Sequence, residues 1–147
     1  MKHVLITITA VLLVGCAHKA APRKAITSDD APAALGPYSP GVQVGEFLFL
    51  SGQIGLNPKT GKLVEDGIKE QTKQALNNLG AVLKEAGMDY DNVVRATVYL
   101  SDMNNFQSMN SVYSGYFNSP HPPSRSTVEV RLLPKGALVE IDLIAME

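Results

Sequence analysis

PHPPSRSTVEVRLLPKGALVEIDLIAME, residues 120–147, is the stretch on which the fold turns. From Arg125 onward the residues alternate. Thr127, Glu129 and Arg131 point one way and Val128, Val130 and Leu132 the other, the period of two expected of a half-buried strand. LPKG (residues 133–136) reads as a turn, and LVEIDLIA alternates again. Val139, Ile141, Leu143 and Ala145 share one face; Glu140 and Asp142 share the other with Leu138 and Ile144. Two adjacent strands of this kind place a guanidinium and a carboxylate on polar faces above an apolar floor. That arrangement suits a small carboxylate-bearing molecule held beside an acid or base. Periodicity alone leaves open a solvated or ion-paired Arg125, and leaves Asp142 as a carboxylate competing with Glu140.

Working outward, Pro120, Pro122 and Pro123 stop a helix whose stripe is Met103, Phe106, Met109, Val112, Tyr113, Tyr116 and Phe117, with Asp102 or Ser101 as its cap. Met and aromatic residues at that spacing read as core. Residues 94–100 alternate and are rich in β-branched side chains, a strand. Before them, Asp66 can cap a helix reaching Ala86. Its apolar positions are Ile68, Ala75, Leu76, Leu79, Val82, Leu83 and Ala86, and Gly87 is placed to end it. Earlier still, Gly45-Glu46 separates Val42 and Val44 from the apolar run 47–50, a hairpin. LGPYS (35–39) and NPKTG (57–61) are turns, and a short extra strand fits near residues 62–64. The expected order is β-β-α-β-α-β-β, an α+β plan with one mixed, mostly antiparallel sheet and two helices on one face. The other face keeps polar and apolar groups side by side, which predicts subunits packed sheet against sheet.

The chain has 147 residues, room for one domain with a full core, and 45% of them are apolar against 18% charged. A net charge of −1 gives no basic footprint for nucleic acid. The single cysteine, Cys16, excludes an internal disulfide. His3, His18 and His121 are too dispersed for a metal site, so no metal is expected.

Residues 1–3 are a short basic start, and residues 4–14 form an apolar run too short to span a membrane but fitting a secretory signal. The run ends in LVGC (13–16), which resembles the lipobox of bacterial lipoproteins. Cleavage before Cys16 and lipidation of its sulfur would make residues 1–15 a signal peptide. Residues 16–33, mixing Ala, Lys, Pro, Ser and Asp without a period, then read as the lipidated cysteine and a flexible tether, and 34–147 as the folded domain. The expected location is the cell envelope, lipid-anchored at the periplasmic face, with Ala17 pointing to the outer membrane of a Gram-negative cell.

Taken together, APAALGPYSPGV, FLSGQIGLNPKTGKL, QALNNLGAVLKEAG, NVVRATVYLSDMNNF and PSRSTVEVRLLPKGALVEIDLIA resemble the reactive-intermediate deaminase (RidA/YjgF) family in order and spacing, over residues 31–146. The resemblance implies a chorismate-mutase-like fold and a homotrimer with sheets packed inward and three sites between subunits. It also implies cofactor-free hydrolysis of 2-imino acids, such as 2-iminobutanoate and 2-iminopropanoate, to 2-oxo acids and ammonia. By position, Arg125 would bind the substrate carboxylate and Glu140 would position the attacking water. Tyr38, Ser51 and Gly52 would line the pocket, with Asn104 nearby and Thr127 where many relatives have cysteine. The alternatives are a trimeric lipoprotein that binds small carboxylates without turnover, and a ribonuclease, which the charge disfavours.

Overall fold

Gly45 is the hinge from which the sheet grows: its φ of 59° is a left-handed conformation that glycine adopts without penalty. It lets Gly45-Glu46 join β2 (Gly41–Val44) to β3 (Phe47–Ile54) as an antiparallel hairpin. The computed structural model describes residues 21–147, so the expected signal peptide and Cys16 lie outside the described residues. One strand was not expected. β1 (Arg23–Ile26) pairs antiparallel with β2, and Ile26 and Ala31 are buried, so this part of the expected tether is built into the domain. RKAI carries one core-facing apolar side chain, too little for a period to register.

α1 (Gly67–Glu85) follows the expected stripe, with Ala75, Leu76, Leu79, Val82 and Leu83 fully buried. Asp66 stands at its N-cap position but in a left-handed conformation, and its side chain makes no capping bond. The other end is as expected. Gly87 (φ 78°) turns the chain, its N–H donates to Lys84 O, and Met88 N–H donates to Leu83 O, a Schellman stop. α1 lies close on the sheet. A Cβ on Gly41 would come within 2.9 Å of Val82, and one on Gly55 within 2.7 Å of the Gln71 backbone. Buried Asn78 donates to the carbonyls of Ile54 (3.2 Å) and Leu56 (2.9 Å), fastening the end of β3 to the helix.

β4 (Val93–Leu100) leads through a 3₁₀ turn (Met103–Asn105), which Asp102 caps by accepting from Asn104 N–H, into α2 (Phe106–Tyr113). The chain then returns as β5 (Ser124–Glu129), parallel to β4, and ends in β6 (Val139–Met146). The sheet order is β1-β2-β3-β6-β4-β5, and the two helices share one face. β5 and β6 are therefore not neighbours as expected, because β4 lies between them. A strand–helix–strand connection returns parallel to its own first strand, which takes that edge from β6. The expected strand near residues 62–64 is a single bridge, Leu56 to Leu63.

Alternate residues of each central strand face the helices: Leu48 and Leu50, Ala96, Val98 and Leu100, and Val139, Ile141, Leu143 and Ala145 are all buried. The opposite face stays open. Phe47, Phe49 and Met146 are among its exposed apolar groups, at 43%, 47% and 40%.

Candidate functional site

Three structural devices put Glu140 in a recess. The start of β6 is pinned from both sides, where Leu138 N–H donates to Gln71 Oε1 (2.8 Å) and Leu138 O accepts from Ser101 N–H (3.1 Å). β3 carries an extra residue between Leu50 and Gln53, opposite the two-residue step from Leu143 to Ile141, so Ser51 and Gly52 form a bulge beside β6. Ser51 ties that bulge to the preceding loop through its N–H to Pro40 O (2.9 Å) and its hydroxyl to Ser39 O (2.7 Å). Gly52 then meets Glu140 more closely than any other residue type could, since a Cβ there would lie 2.1 Å from Oε1. Tyr38, Ser51, Gly52, Pro134 and Glu140 line a hollow of about 300 Å³. An adjoining hollow of about 280 Å³ is lined on the other side of Glu140 by Tyr99 and Asp142.

Burial raises the Glu140 pKa above the ordinary carboxylate value, and the Asp142 charge adds to it. Asp142 itself accepts a hydrogen bond from Tyr99 Oη at 2.9 Å, which in turn raises the phenol's pKa. Glu140 is thus a carboxylate of raised proton affinity, while the Asp142 carboxylate is engaged by Tyr99. Tyr38 is half-exposed, and its hydroxyl accepts from Leu35 N–H (3.0 Å), which ties the ring lining the hollow back to its own loop.

Arg125 lies elsewhere. It pairs in register with buried Ala96 and so points to the helix side of the sheet, at the outer edge. There its guanidinium lies over the Tyr113 ring (4.5 Å to the centroid) and near the Phe106 ring (5.7 Å). The expected floor of Val128, Val130 and Leu132 is not interior either, since Val128 and Leu132 are exposed. On β5 the polar residues face the helix layer, and a period of two cannot say which side is inside. Two buried hydroxyls at this end, Tyr113 Oη and Thr127 Oγ1, have no hydrogen-bond partner among the described residues. Burial pushes the Tyr113 phenol up to about 12, against the pull of the Arg125 charge, so it is neutral at physiological pH. Asn104 is exposed in the 3₁₀ turn. Asn110 falls between Phe106 and Tyr113 at helical spacing and so shares their face of α2.

Within the chain the expected site residues therefore fall into two groups. Tyr38, Ser51, Gly52 and Glu140 come together, and Arg125 and Thr127 come together. The two groups occupy opposite faces, because Glu140 pairs with the outward Tyr99 and Arg125 with the inward Ala96. Among the described residues no group of three or more His, Cys, Asp or Glu side chains is set to hold a metal, and no helix is long and apolar enough to cross a membrane.

The sequence pattern of the family described as Endoribonuclease L-PSP matches residues 28–147. A mouse protein named 2-iminobutanoate/2-iminopropanoate deaminase is 50% identical over 125 residues, 85% of this chain and 92% of its own. Bovine and human proteins carry the same name. Among solved structures, a Yersinia pestis protein of unknown function from the conserved Rid family superposes with a TM-score of 0.83 at 46% identity, over 86% of this chain and 100% of its own. Escherichia coli TdcF with bound serine gives 0.80 at 38% identity, over 84% and 98%. These relatives correct the expected location. Mouse, bovine and human proteins matched over at least 90% of their length are not bacterial envelope lipoproteins, and the lipid-anchored envelope assignment is withdrawn.

Proposed function

The chain belongs to the Endoribonuclease L-PSP family, the RidA/YjgF proteins, and from that premise we propose that it hydrolyses 2-imino acids to 2-oxo acids and ammonia. The observation that carries the reading is the recess at Glu140: a carboxylate of raised proton affinity, with a glycine where any side chain would overlap it. That is a general base with room beside it for a water and a small substrate. The named activity of the mouse relative and the serine held by the E. coli one point to the same ligand class, a small molecule with a carboxylate and a nitrogen on C2.

Arg125 supplies the other requirement. Its planar fork can grip a carboxylate through two parallel hydrogen bonds, a geometry lysine lacks. Its guanidinium carbon lies over the Tyr113 and Phe106 rings, so the cation is held at this end of the sheet without a carboxylate partner among the described residues. With the carboxylate fixed, C2 of the imine stands at a set distance from the water on Glu140. Glu140 accepts a proton as the water oxygen bonds to C2 and passes that proton to the imine nitrogen, giving a neutral carbinolamine. It then accepts the proton of the new hydroxyl as the carbonyl of the 2-oxo acid forms and the C2–N bond breaks. That second proton goes to the departing nitrogen, which leaves as ammonia with Glu140 restored to its carboxylate form.

Because the halves lie on opposite faces of one subunit, the complete site joins Glu140 of one subunit to Arg125 of the next. The apolar open face, with Phe47 and Phe49 exposed, is the surface on which three copies would pack sheet to sheet. Asn104 and Thr127 would then border the carboxylate end. With a net charge of −1, the chain offers little to an RNA backbone.

The test uses 2-iminobutanoate generated in situ by an amino-acid oxidase, following loss of the imine. The protein should accelerate it, and Arg125→Ala and Glu140→Gln should each abolish the acceleration. Mixing the two inactive variants after dissociation and reassembly should restore about a quarter of the sites. Binding of 2-oxobutanoate without acceleration would replace the enzyme with a carboxylate-binding protein. Failure of the mixture to recover any rate would overturn the shared site.

A further inference from the structure

We propose that the Tyr113 ring, with Phe106 beside it, is a positioning platform that sets the plane of the Arg125 guanidinium for the substrate carboxylate. The inference rests on the deaminase reading above and assigns a role to residues on which that reading does not depend. An arginine side chain has many rotamers, and bidentate recognition of a carboxylate uses only a narrow range of them. Something must choose among them. A carboxylate partner would do so at the expense of the N–H groups the substrate needs. A ring face attracts the cation without touching its edge. The partners found for Arg125 among the described residues are two such faces, with the guanidinium carbon 4.5 Å from the Tyr113 centroid and 5.7 Å from that of Phe106.

The platform is itself held rigid. Tyr113 stacks on Phe117 (4.3 Å, 27°), and Phe117 meets the edge of Tyr90 (5.1 Å, 89°). The Tyr90 hydroxyl donates to Leu76 O on α1, so the orientation of the ring beneath Arg125 is referred back to the main helix. The Tyr113 hydroxyl is buried with no hydrogen bond of full geometry, and burial keeps the phenol protonated, so it is no anionic counter-charge. Arg125 does act on that hydroxyl, pulling its pKa down against burial, and the Tyr113→Phe variant is what separates hydroxyl from ring.

Tyr113→Met keeps apolar bulk and removes the ring face; Tyr113→Phe keeps the face and removes the hydroxyl. The inference expects Tyr113→Met to raise KM for 2-iminobutanoate, and Kd for the product 2-oxobutanoate, by about tenfold, with kcat changing less. Tyr113→Phe should restore both constants to within about twofold of the parent. A KM and a Kd unmoved in a folded Tyr113→Met protein, or a Tyr113→Phe protein as impaired as the Met variant, would overturn it. Should Tyr113→Met fail to fold, Phe106→Leu is read by the same two constants, with a smaller rise expected from its more distant ring. Arg125→Ala separates the two levels. If it retains the parent rate, the deaminase site is misplaced and the platform falls with it. If it is inactive while the ring variants bind as the parent does, only the platform is wrong.

Discussion

Replacing Gly52 with alanine should silence the protein while leaving it folded. The added Cβ would lie 2.1 Å from Glu140 Oε1, 2.9 Å from Cδ and 3.0 Å from Cγ. Contacts below 3.0 Å are essentially never tolerated, so the carboxylate must retreat by about 1 Å. The atom displaced is the far end of a flexible side chain bordering a hollow, so folding stability should change by no more than about 1 kcal/mol. Gly52 has no left-handed φ, and alanine strains nothing in the backbone. Catalysis is less forgiving. A misplacement of about 1 Å at a general base costs on the order of 10²-fold, within the 10²–10⁴ attributed to such a base. The assay is the loss of 2-iminobutanoate generated in situ, run beside a thermal melt. A second arm places Gly52→Ala in a Glu140→Gln background, where it should cost nothing further because the displaced group is already disabled. A Gly52→Ala protein with rates within about threefold of the parent, or a full further loss in the Glu140→Gln background, would refute the reasoning.

Glu140 should also reveal itself in pH dependence. Its folded-state pKa is raised, first by burial and then by Asp142, so the acid limb of kcat/KM should lie above the ordinary carboxylate range. Asp142→Asn should move that limb to lower pH. For stability the sign is opposite to that of a salt-bridged acid. The protonated form is favoured in the fold, so stability is greatest below the ordinary glutamate pKa and falls as pH rises through Glu140's own. Glu140→Gln should therefore raise the denaturation midpoint at neutral pH and leave it unchanged in acid. Asn78→Ala strands the carbonyls of Ile54 and Leu56 and should cost about 1–3 kcal/mol in a urea titration. Phe49→Glu, on the open face, should reduce the mass seen by light scattering to that of a monomer and remove activity with it.

The pieces legible in the sequence were those whose burial is one-sided and local. α1 declared itself through Leu76, Leu79 and Leu83 and its stop at Gly87, and β6 through Val139, Ile141 and Leu143. β1 escaped because Ile26 alone turns to the core, while Arg23, Lys24 and Ala25 are exposed on an edge. β5 was found as a strand but given the wrong neighbour and the wrong interior. Alternation says which residues share a face, not which strand lies beside them, and on an edge strand the polar set can be the one turned toward the helices. Arg125 and Glu140 could thus be picked out as a pair from composition and resemblance, while their separation could not. It depends on the parallel return of β5 beside β4, a long-range event that neither stretch encodes by itself. Tyr113 read as core, and it is core. Only the position of Arg125 above it reveals a second use.

The placement of Arg125 and Glu140 on opposite sides of one sheet has a consequence, under the proposed shared site, for how such a protein would be switched off. On that reading a lone copy would keep its whole hydrophobic interior and its secondary structure, yet would hold only half of each reaction centre. Turnover per chain should then fall steeply on dilution below the concentration at which the copies dissociate, while the circular dichroism spectrum stays the same: a catalyst rendered latent by separation, with nothing unfolded.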